Sequence, residues 1–188
     1  MSSRLAELPT ERESTIGSFL WGTQSRVLAI VPLLRRAGGT LECRFGGGSM
    51  RPAIPSPSRL RIGFAGEQRC EVGCVIAYMA GDTVMVHRVV YRGRWRGARG
   101  HLILCGDRLV IPDLPVDERW ILGSILAVQK DGVWSPPGPS YRPLPARIAA
   151  FILSRLTGAL LEIDVRLARH FVRACDRVRL AVLPKRSR

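Results

Sequence analysis

The stretch TLECRFGGGSMRP, residues 40–52, sets the organisation of this chain. Leu41, Cys43 and Phe45 alternate with polar residues, which predicts a half-buried β-strand at Thr40–Phe45. The strand runs into three glycines, which permit backbone conformations and close approaches that side chains forbid. A proline three residues after Ser49 fixes the backbone on the other side. The pattern predicts an exposed, positioned serine, as a nucleophile requires, although a flexible surface loop could have the same residues.

Short strands of the same kind continue beyond this turn. Runs of alternating or apolar residues predict further strands at Arg59–Phe64, Val72–Met79, Thr83–Tyr91, His101–Cys105 and Trp120–Val128. Glycine, proline and aspartate separate these runs, as they do in the turns between strands. Six or seven short strands at close spacing are typical of an all-β sandwich or barrel-like body. We therefore expect a mainly β fold with an antiparallel β body.

The segments on either side of the β body have other patterns. We divide the chain into an N-terminal arm and helix (1–39), the β body (40–131), a proline-rich linker (132–145) and a basic amphipathic helical tail (146–188). A basic amphipathic helix can lie on a membrane surface. The alternative is that the tail packs against the β body or the N-terminal helix. The sequence leaves both open.

The composition limits the classes of partner. With 46% hydrophobic residues in 188, the chain can build the core of a compact domain. Its net charge of +14 is compatible with binding to nucleic acid or to acidic membranes. An arginine-rich loop with one aromatic residue could stack bases; it contains Arg92, Arg94, Trp95, Arg96 and Arg99. A solvated loop is the commoner explanation, so we do not expect nucleic acid as a partner.

Cysteine usage and hydropathy bear on the compartment. Five cysteines cannot all pair within one chain, which favours reduced thiols in a cytosolic protein. Cys70 and Cys74 have no second pair at metal spacing, so we expect no metal and no cofactor. The N-terminus is polar, and Arg155 interrupts the longest apolar stretch of the tail. We therefore expect no signal peptide and no transmembrane helix, hence a cytoplasmic protein with peripheral membrane contact as an option.

A serine nucleophile needs a neighbouring base. The two lysines, Lys130 and Lys185, follow the last strand and lie in the tail, where neither is well placed. His87 lies within an otherwise apolar strand, where a polar ring must find partners. Without Ser49, this position of His87 would favour a structural role. An all-β fold can, however, bring His87 beside Ser49. A carboxylate must then orient the ring, and either Asp107 or Asp113 could serve.

Four short motifs occur in a fixed order along the chain. They are GSMRP at 48–52, HRV at 87–89, Gly106-Asp107 with Asp113 following, and ILGSI at 121–125. Together they resemble the type I signal peptidase superfamily, in the histidine-base branch of the endoplasmic reticulum and archaea. The resemblance covers roughly residues 40–128. It implies an all-β catalytic body that cleaves an extended peptide or precursor after small side chains, with the peptide added as a strand beside the catalytic edge.

The resemblance also assigns roles to residues by their position in the motifs. Ser49 would be the nucleophile and its backbone N–H a donor to the oxyanion hole, with His87 as general base. Asp107 would be the orienting carboxylate and Asp113 the second one. Gly47 stands where the bacterial branch often has a hydroxyl that also serves the oxyanion. We expect a serine endopeptidase acting through an acyl-enzyme; the alternative is a catalytically inactive peptide-binding β module of the same fold.

Overall fold

The computed structural model describes residues 31–34, 36–64, 70–81, 83–93, 100–140 and 144–182. The strands are β1 (Thr40–Phe45), β2 (Ser58–Gly63), β3 (Val75–Ala80), β4 (Thr83–Arg92), β5 (His101–Cys105), β6 (Val116–Asp117), β7 (Ile121–Lys130) and β8 (Val133–Ser135). A 3₁₀ turn, Glu118–Trp120, precedes β7, and the helices are α1 (Leu144–Ile163) and α2 (Val165–Val182).

All eight strands belong to one antiparallel sheet. Its order is β1-β2-β7-β3-β4-β5-β6, and β8 pairs with β7 outside this path. The prediction of a mainly β fold with C-terminal helical structure is confirmed. Strands β1 and β5 have the predicted bounds, and β2, β3, β4 and β7 differ at their ends by no more than three residues. The pairing of β8 extends the sheet to Ser135, within the segment that the sequence assigns to a linker.

Apolar clusters cover both faces of the sheet near β3. Val75, Ala77 and Met79 of this strand contribute to one cluster, and Ile76 and Tyr78 contribute to the other. Successive side chains of a strand point to opposite faces, so β3 is buried on both sides. This explains its nearly continuous apolar sequence.

A β-bulge in β4 changes which residues share a face. Val89 pairs with Leu104, but Tyr91 rather than Val90 pairs with Ile103. One extra residue in a strand reverses the alternation beyond it. Tyr91 therefore lies on the face opposite Val89, where it meets the helices.

Helix α1 packs on the sheet through small residues. The residues it buries are Ala150, Ser154, Thr157, Gly158 and Leu161. A Cβ on Gly158 would lie 2.8 Å from the Tyr91 ring, so the glycine admits the ring. The Tyr91 hydroxyl donates a hydrogen bond of 2.6 Å to Glu162 Oε1, and the Arg155 guanidinium lies 5.8 Å from the ring centroid. This face of α1 is thus packed on the β body, one of the two alternatives left open by the sequence.

The helical tail is two helices rather than one. Asp164 separates them, and its Oδ1 accepts hydrogen bonds from the backbone N–H groups of Arg166 at 2.5 Å and Leu167 at 3.4 Å. This is an N-cap, which satisfies donors that the first turn of a helix leaves free. Within the described residues, α1 is the one helix long and apolar enough to cross a membrane by length and composition, although the sequence led us to expect none.

Parts of the predicted organisation fall outside the described residues. Residues 31–34 and 36–37 are helical and belong to the predicted N-terminal helix, whereas residues 1–30 are not described. Residues 94–99, which include most of the arginine-rich loop, also lie outside the described residues.

Candidate active site

The turn after β1 holds Ser49 through buried neighbours. Met50 and Ile54 are fully buried in the core, and the Ile54 N–H donates to the Met50 carbonyl at 3.0 Å. The Ser49 carbonyl accepts a 2.8 Å hydrogen bond from the backbone N–H of Arg108, which follows β5. Ser49 itself is half-buried rather than fully exposed. Core packing on one side and the β5 loop on the other therefore fix the serine backbone.

His87 projects from the middle of β4, where it is completely buried. Its Nε2 lies 2.9 Å from Ser49 Oγ, within hydrogen-bonding distance. Strand β4 pairs with β3 on one side and β5 on the other, so the strand that carries the imidazole is held by hydrogen bonds along both edges. The structure thus brings Ser49 and His87 together from positions 38 residues apart in sequence.

Asp113 lies on the other nitrogen of the same ring. The distance from His87 Nδ1 to Asp113 Oδ2 is 2.5 Å, and the backbone N–H of Asp113 donates to the Leu104 carbonyl at 2.8 Å. A carboxylate accepts a hydrogen bond from Nδ1–H, and with the proton on Nδ1 the Nε2 lone pair faces the serine hydroxyl. This is the tautomer that a general base for Ser49 needs.

Tyr78 is a member of this group that the sequence did not indicate. Its hydroxyl donates a 3.0 Å hydrogen bond to Asp113 Oδ2 and lies 3.4 Å from His87 Nδ1. Burial, together with the neighbouring Asp113 carboxylate, raises the pKa of Tyr78 well above its ordinary value. The phenol therefore remains a donor across the physiological range. The available signal was a lone tyrosine in an apolar strand, because a buried hydroxyl usually finds a partner.

Asp107 occupies a different place from the one the resemblance implies. Its carboxylate accepts hydrogen bonds from Arg88 Nε at 3.0 Å and Arg88 Nη2 at 2.8 Å. The resemblance made Asp107 the orienting carboxylate and Asp113 the second one. In the structure Asp113, and not Asp107, contacts the His87 ring. The physical reason is strand alternation: Arg88 follows His87 and points to the opposite face, where it pairs with Asp107.

Gly106 allows the serine and the histidine to meet. A Cβ at this position would lie 2.9 Å from Ser49 Cβ and 3.0 Å from His87 Nε2. Contacts this short are not tolerated, so only glycine fits beside the pair. The sequence marked Gly106 as a turn residue before Asp107 but did not indicate this steric role.

Gly47 also has a local steric explanation. A Cβ there would lie 2.6 Å from the Phe45 ring, so a serine or threonine at this position would require the ring to move. The hydroxyl that the resemblance associates with the bacterial branch would fit here only if the Phe45 ring moved. The role of the Ser49 backbone N–H as an oxyanion donor, which the resemblance implies, stays a prediction.

A cavity of about 590 Å³ opens beside the Asp113 carboxylate. Its lining includes Tyr78, Met85, Leu109, Asp113 and, from α2, Arg169. A space of this size is within the range of ligand-binding pockets in proteins. The helical tail therefore borders the site on the Asp113 side.

Within the described ranges, no group of three or more His, Cys, Asp or Glu side chains could hold a metal ion. Comparison of the chain with protein-family models, with curated proteins and with solved structures found no match.

Proposed function

We propose that this protein is a serine endopeptidase in which Ser49, His87 and Asp113 form the catalytic group. The observation that carries the proposal is the continuous hydrogen-bonded line from Ser49 Oγ to His87 Nε2 at 2.9 Å and from His87 Nδ1 to Asp113 Oδ2 at 2.5 Å. A buried imidazole that joins a serine to a carboxylate through its two nitrogens is the arrangement that activates a hydroxyl for acyl transfer.

The first half of the reaction forms an acyl-enzyme. Ser49 Oγ attacks the carbonyl carbon of the scissile peptide bond while His87 Nε2 accepts the hydroxyl proton. Asp113 stabilises the positive charge that this proton creates on the imidazole. The tetrahedral intermediate collapses when the C–N bond breaks, and His87 gives its proton to the departing amine. The substrate acyl group is then esterified to Ser49.

The second half restores the enzyme. Water attacks the ester carbon and transfers a proton to His87 Nε2, and the Ser49 Oγ–C bond breaks to release a carboxylic acid. Ser49 regains its proton from His87. In both halves the backbone N–H of Ser49 donates to the oxyanion.

The position of β1 supports an extended peptide as the substrate. In the strand order of the described residues, β1 lies at one end of the sheet, and it leads directly to the turn with Ser49. A peptide that pairs with an edge strand gains main-chain hydrogen bonds and is held extended. Pairing along β1 would bring a peptide carbonyl toward the serine.

A fluorophosphonate probe tests the proposal without knowledge of the substrate. The wild-type protein is expected to be labelled at Ser49, and Ser49→Ala and His87→Ala are each expected to abolish labelling. Ser140→Ala, which removes an exposed serine elsewhere, is the matched control and should be labelled like the wild type. A folded wild-type protein that remains unlabelled would contradict the proposal and favour the alternative of an inactive peptide-binding module.

A further inference from the structure

Helix α1 exposes an apolar stripe along its whole length. Its large exposed apolar side chains recur at steps of three, four or seven residues and are Leu144, Ile148, Phe151, Ile152, Leu156 and Ile163. Phe151 is 65% exposed. Residues at these steps share one face of a helix, and this face lies opposite the small residues that pack on the sheet. Scattered exposed apolar residues are ordinary, but a continuous stripe of this kind marks an interaction surface.

Helix α2 presents a different exposed face. Arg166, Arg169, Arg173 and Arg177 recur at three- and four-residue steps and are all exposed. They lie opposite Ala168 and Val172, which are the buried residues of this helix. This face of α2 is therefore a row of positive charge, and Arg169 of the row also lines the cavity beside Asp113.

The apolar stripe and the arginine row belong to two helices that pack against each other. Leu161 of α1 and Ala168 of α2 pack in one buried cluster with Ile103 of β5. Helix α1 packs on β4 and β5 as well as on α2, and on both helices the side chains of the stripe and of the row are exposed. The outer layer of this protein thus combines a long apolar stripe with adjacent basic residues.

We propose that this outer layer docks on an anionic lipid bilayer, with α1 lying in the interface rather than crossing it. Burial of an apolar helix face combined with basic residues at the lipid phosphates is the mode of interfacial helices. Crossing would require α1 to leave the sheet, which would break the contacts of Tyr91 with Gly158 and Glu162. A second copy of the chain fits less well, because two arginine rows would repel each other.

Vesicle flotation with the full-length chain tests this proposal. Vesicles of phosphatidylcholine mixed with phosphatidylglycerol should bind the protein, and vesicles of phosphatidylcholine alone should bind it much more weakly. The double variant Phe151→Ser/Leu156→Ser should reduce partitioning by roughly tenfold or more, because it removes buried apolar area. Val133→Ser, which changes a 68% exposed apolar residue of β8, is its control and should bind like the wild type.

The arginine row has a separate test. Arg173→Gln/Arg177→Gln should weaken binding to the anionic vesicles by about fivefold per arginine, and added salt should abolish that difference. Arg36→Gln/Arg44→Gln removes the same charge from exposed positions outside α1 and α2 and should have a much smaller effect.

Three outcomes would overturn the proposal. These are no binding to anionic vesicles, equal binding of the stripe variant and its control, or a wild-type dimer in solution that Phe151→Ser/Leu156→Ser dissociates. Ser49→Ala should float with the vesicles as the wild type does. The membrane proposal can therefore fail while the peptidase proposal stands. The peptidase proposal can likewise fail while the membrane proposal stands.

Discussion

The guanidinium of Arg88 and the carboxylate of Asp107 face each other through two hydrogen bonds, with Nε to Oδ1 at 3.0 Å and Nη2 to Oδ2 at 2.8 Å. The Asp107 side chain is completely buried and that of Arg88 is 15% exposed. Arg88 Nη2 also donates to the Gly138 carbonyl at 2.8 Å. The ion pair thus connects β4, the loop after β5 and the proline-rich segment.

Asp107→Asn is expected to lower stability by about 3 kcal/mol, because it leaves the Arg88 charge partly buried without its anionic partner. Urea denaturation measures this change in the free energy of unfolding. Fluorophosphonate labelling of the folded fraction should remain within a few-fold of the wild type. Labelling that falls without loss of stability would return Asp107 to the role that the resemblance gave it.

Asp113→Asn should give the opposite pattern. An amide cannot stabilise the imidazolium and favours the wrong His87 tautomer, so the turnover of a cleaved peptide should fall by about 10⁴-fold. The change in the free energy of unfolding should be smaller than for Asp107→Asn, because Asp113 is partly exposed. The comparison of these two isosteric variants assigns the orienting carboxylate directly.

Gly106→Ala should impair chemistry by displacing the reacting pair. The new Cβ would lie 2.9 Å from Ser49 Cβ, so the serine must move and labelling should slow by about 10²-fold. Gly46→Ala is the matched control, since a Cβ there meets no atom within 4 Å. If both alanine variants react like the wild type, Gly106 has no part in positioning Ser49.

Tyr78→Phe should change the dependence of stability on alkaline pH. The raised pKa of Tyr78 means that the unfolded chain loses this proton near pH 10 while the folded chain keeps it. Wild-type stability should therefore be fully present below roughly pH 10 and then fall by about 1.4 kcal/mol per pH unit from this group. Urea denaturation from neutral to alkaline pH measures the slope.

The Tyr78→Phe variant should lack that part of the slope. Burial also raises the pKa of Cys43 to about 11, so a remaining decline above pH 9 is expected in both proteins. The difference between wild type and variant isolates the tyrosine. If the free energy of unfolding falls with pH equally in wild type and variant, the fold does not raise the pKa of Tyr78.

The sequence predicted those parts of the fold that depend on local pattern. Alternation placed β1 at its observed bounds, and a short apolar run placed β5, because the first is a half-buried strand and the second a buried one. Ser49 and His87 could be singled out because a glycine turn and a polar residue in an apolar strand both need an explanation. The choice between Asp107 and Asp113 could not be made, since both follow β5 and only the folded loop determines which carboxylate reaches the ring.

Features that arise from contacts between distant segments were missed. The role of Tyr78 depends on a partner 35 residues away, and the β4 bulge depends on the register with β5. The division between α1 and α2 had a local signal, since Asp164 stands immediately before Val165 as an N-cap. The apolar pattern continues across this residue and concealed it.

The extra residue at Val90 makes one strand serve two surfaces. Residues 87 and 91 would share a face in a regular strand, yet His87 faces the serine and Tyr91 faces α1. With Val90 deleted, Tyr91 would follow Val89 directly in a regular strand and would still point to the face opposite Val89 and His87. The bulge therefore allows the histidine and the tyrosine to lie four positions apart on one strand and still contact opposite faces of the sheet.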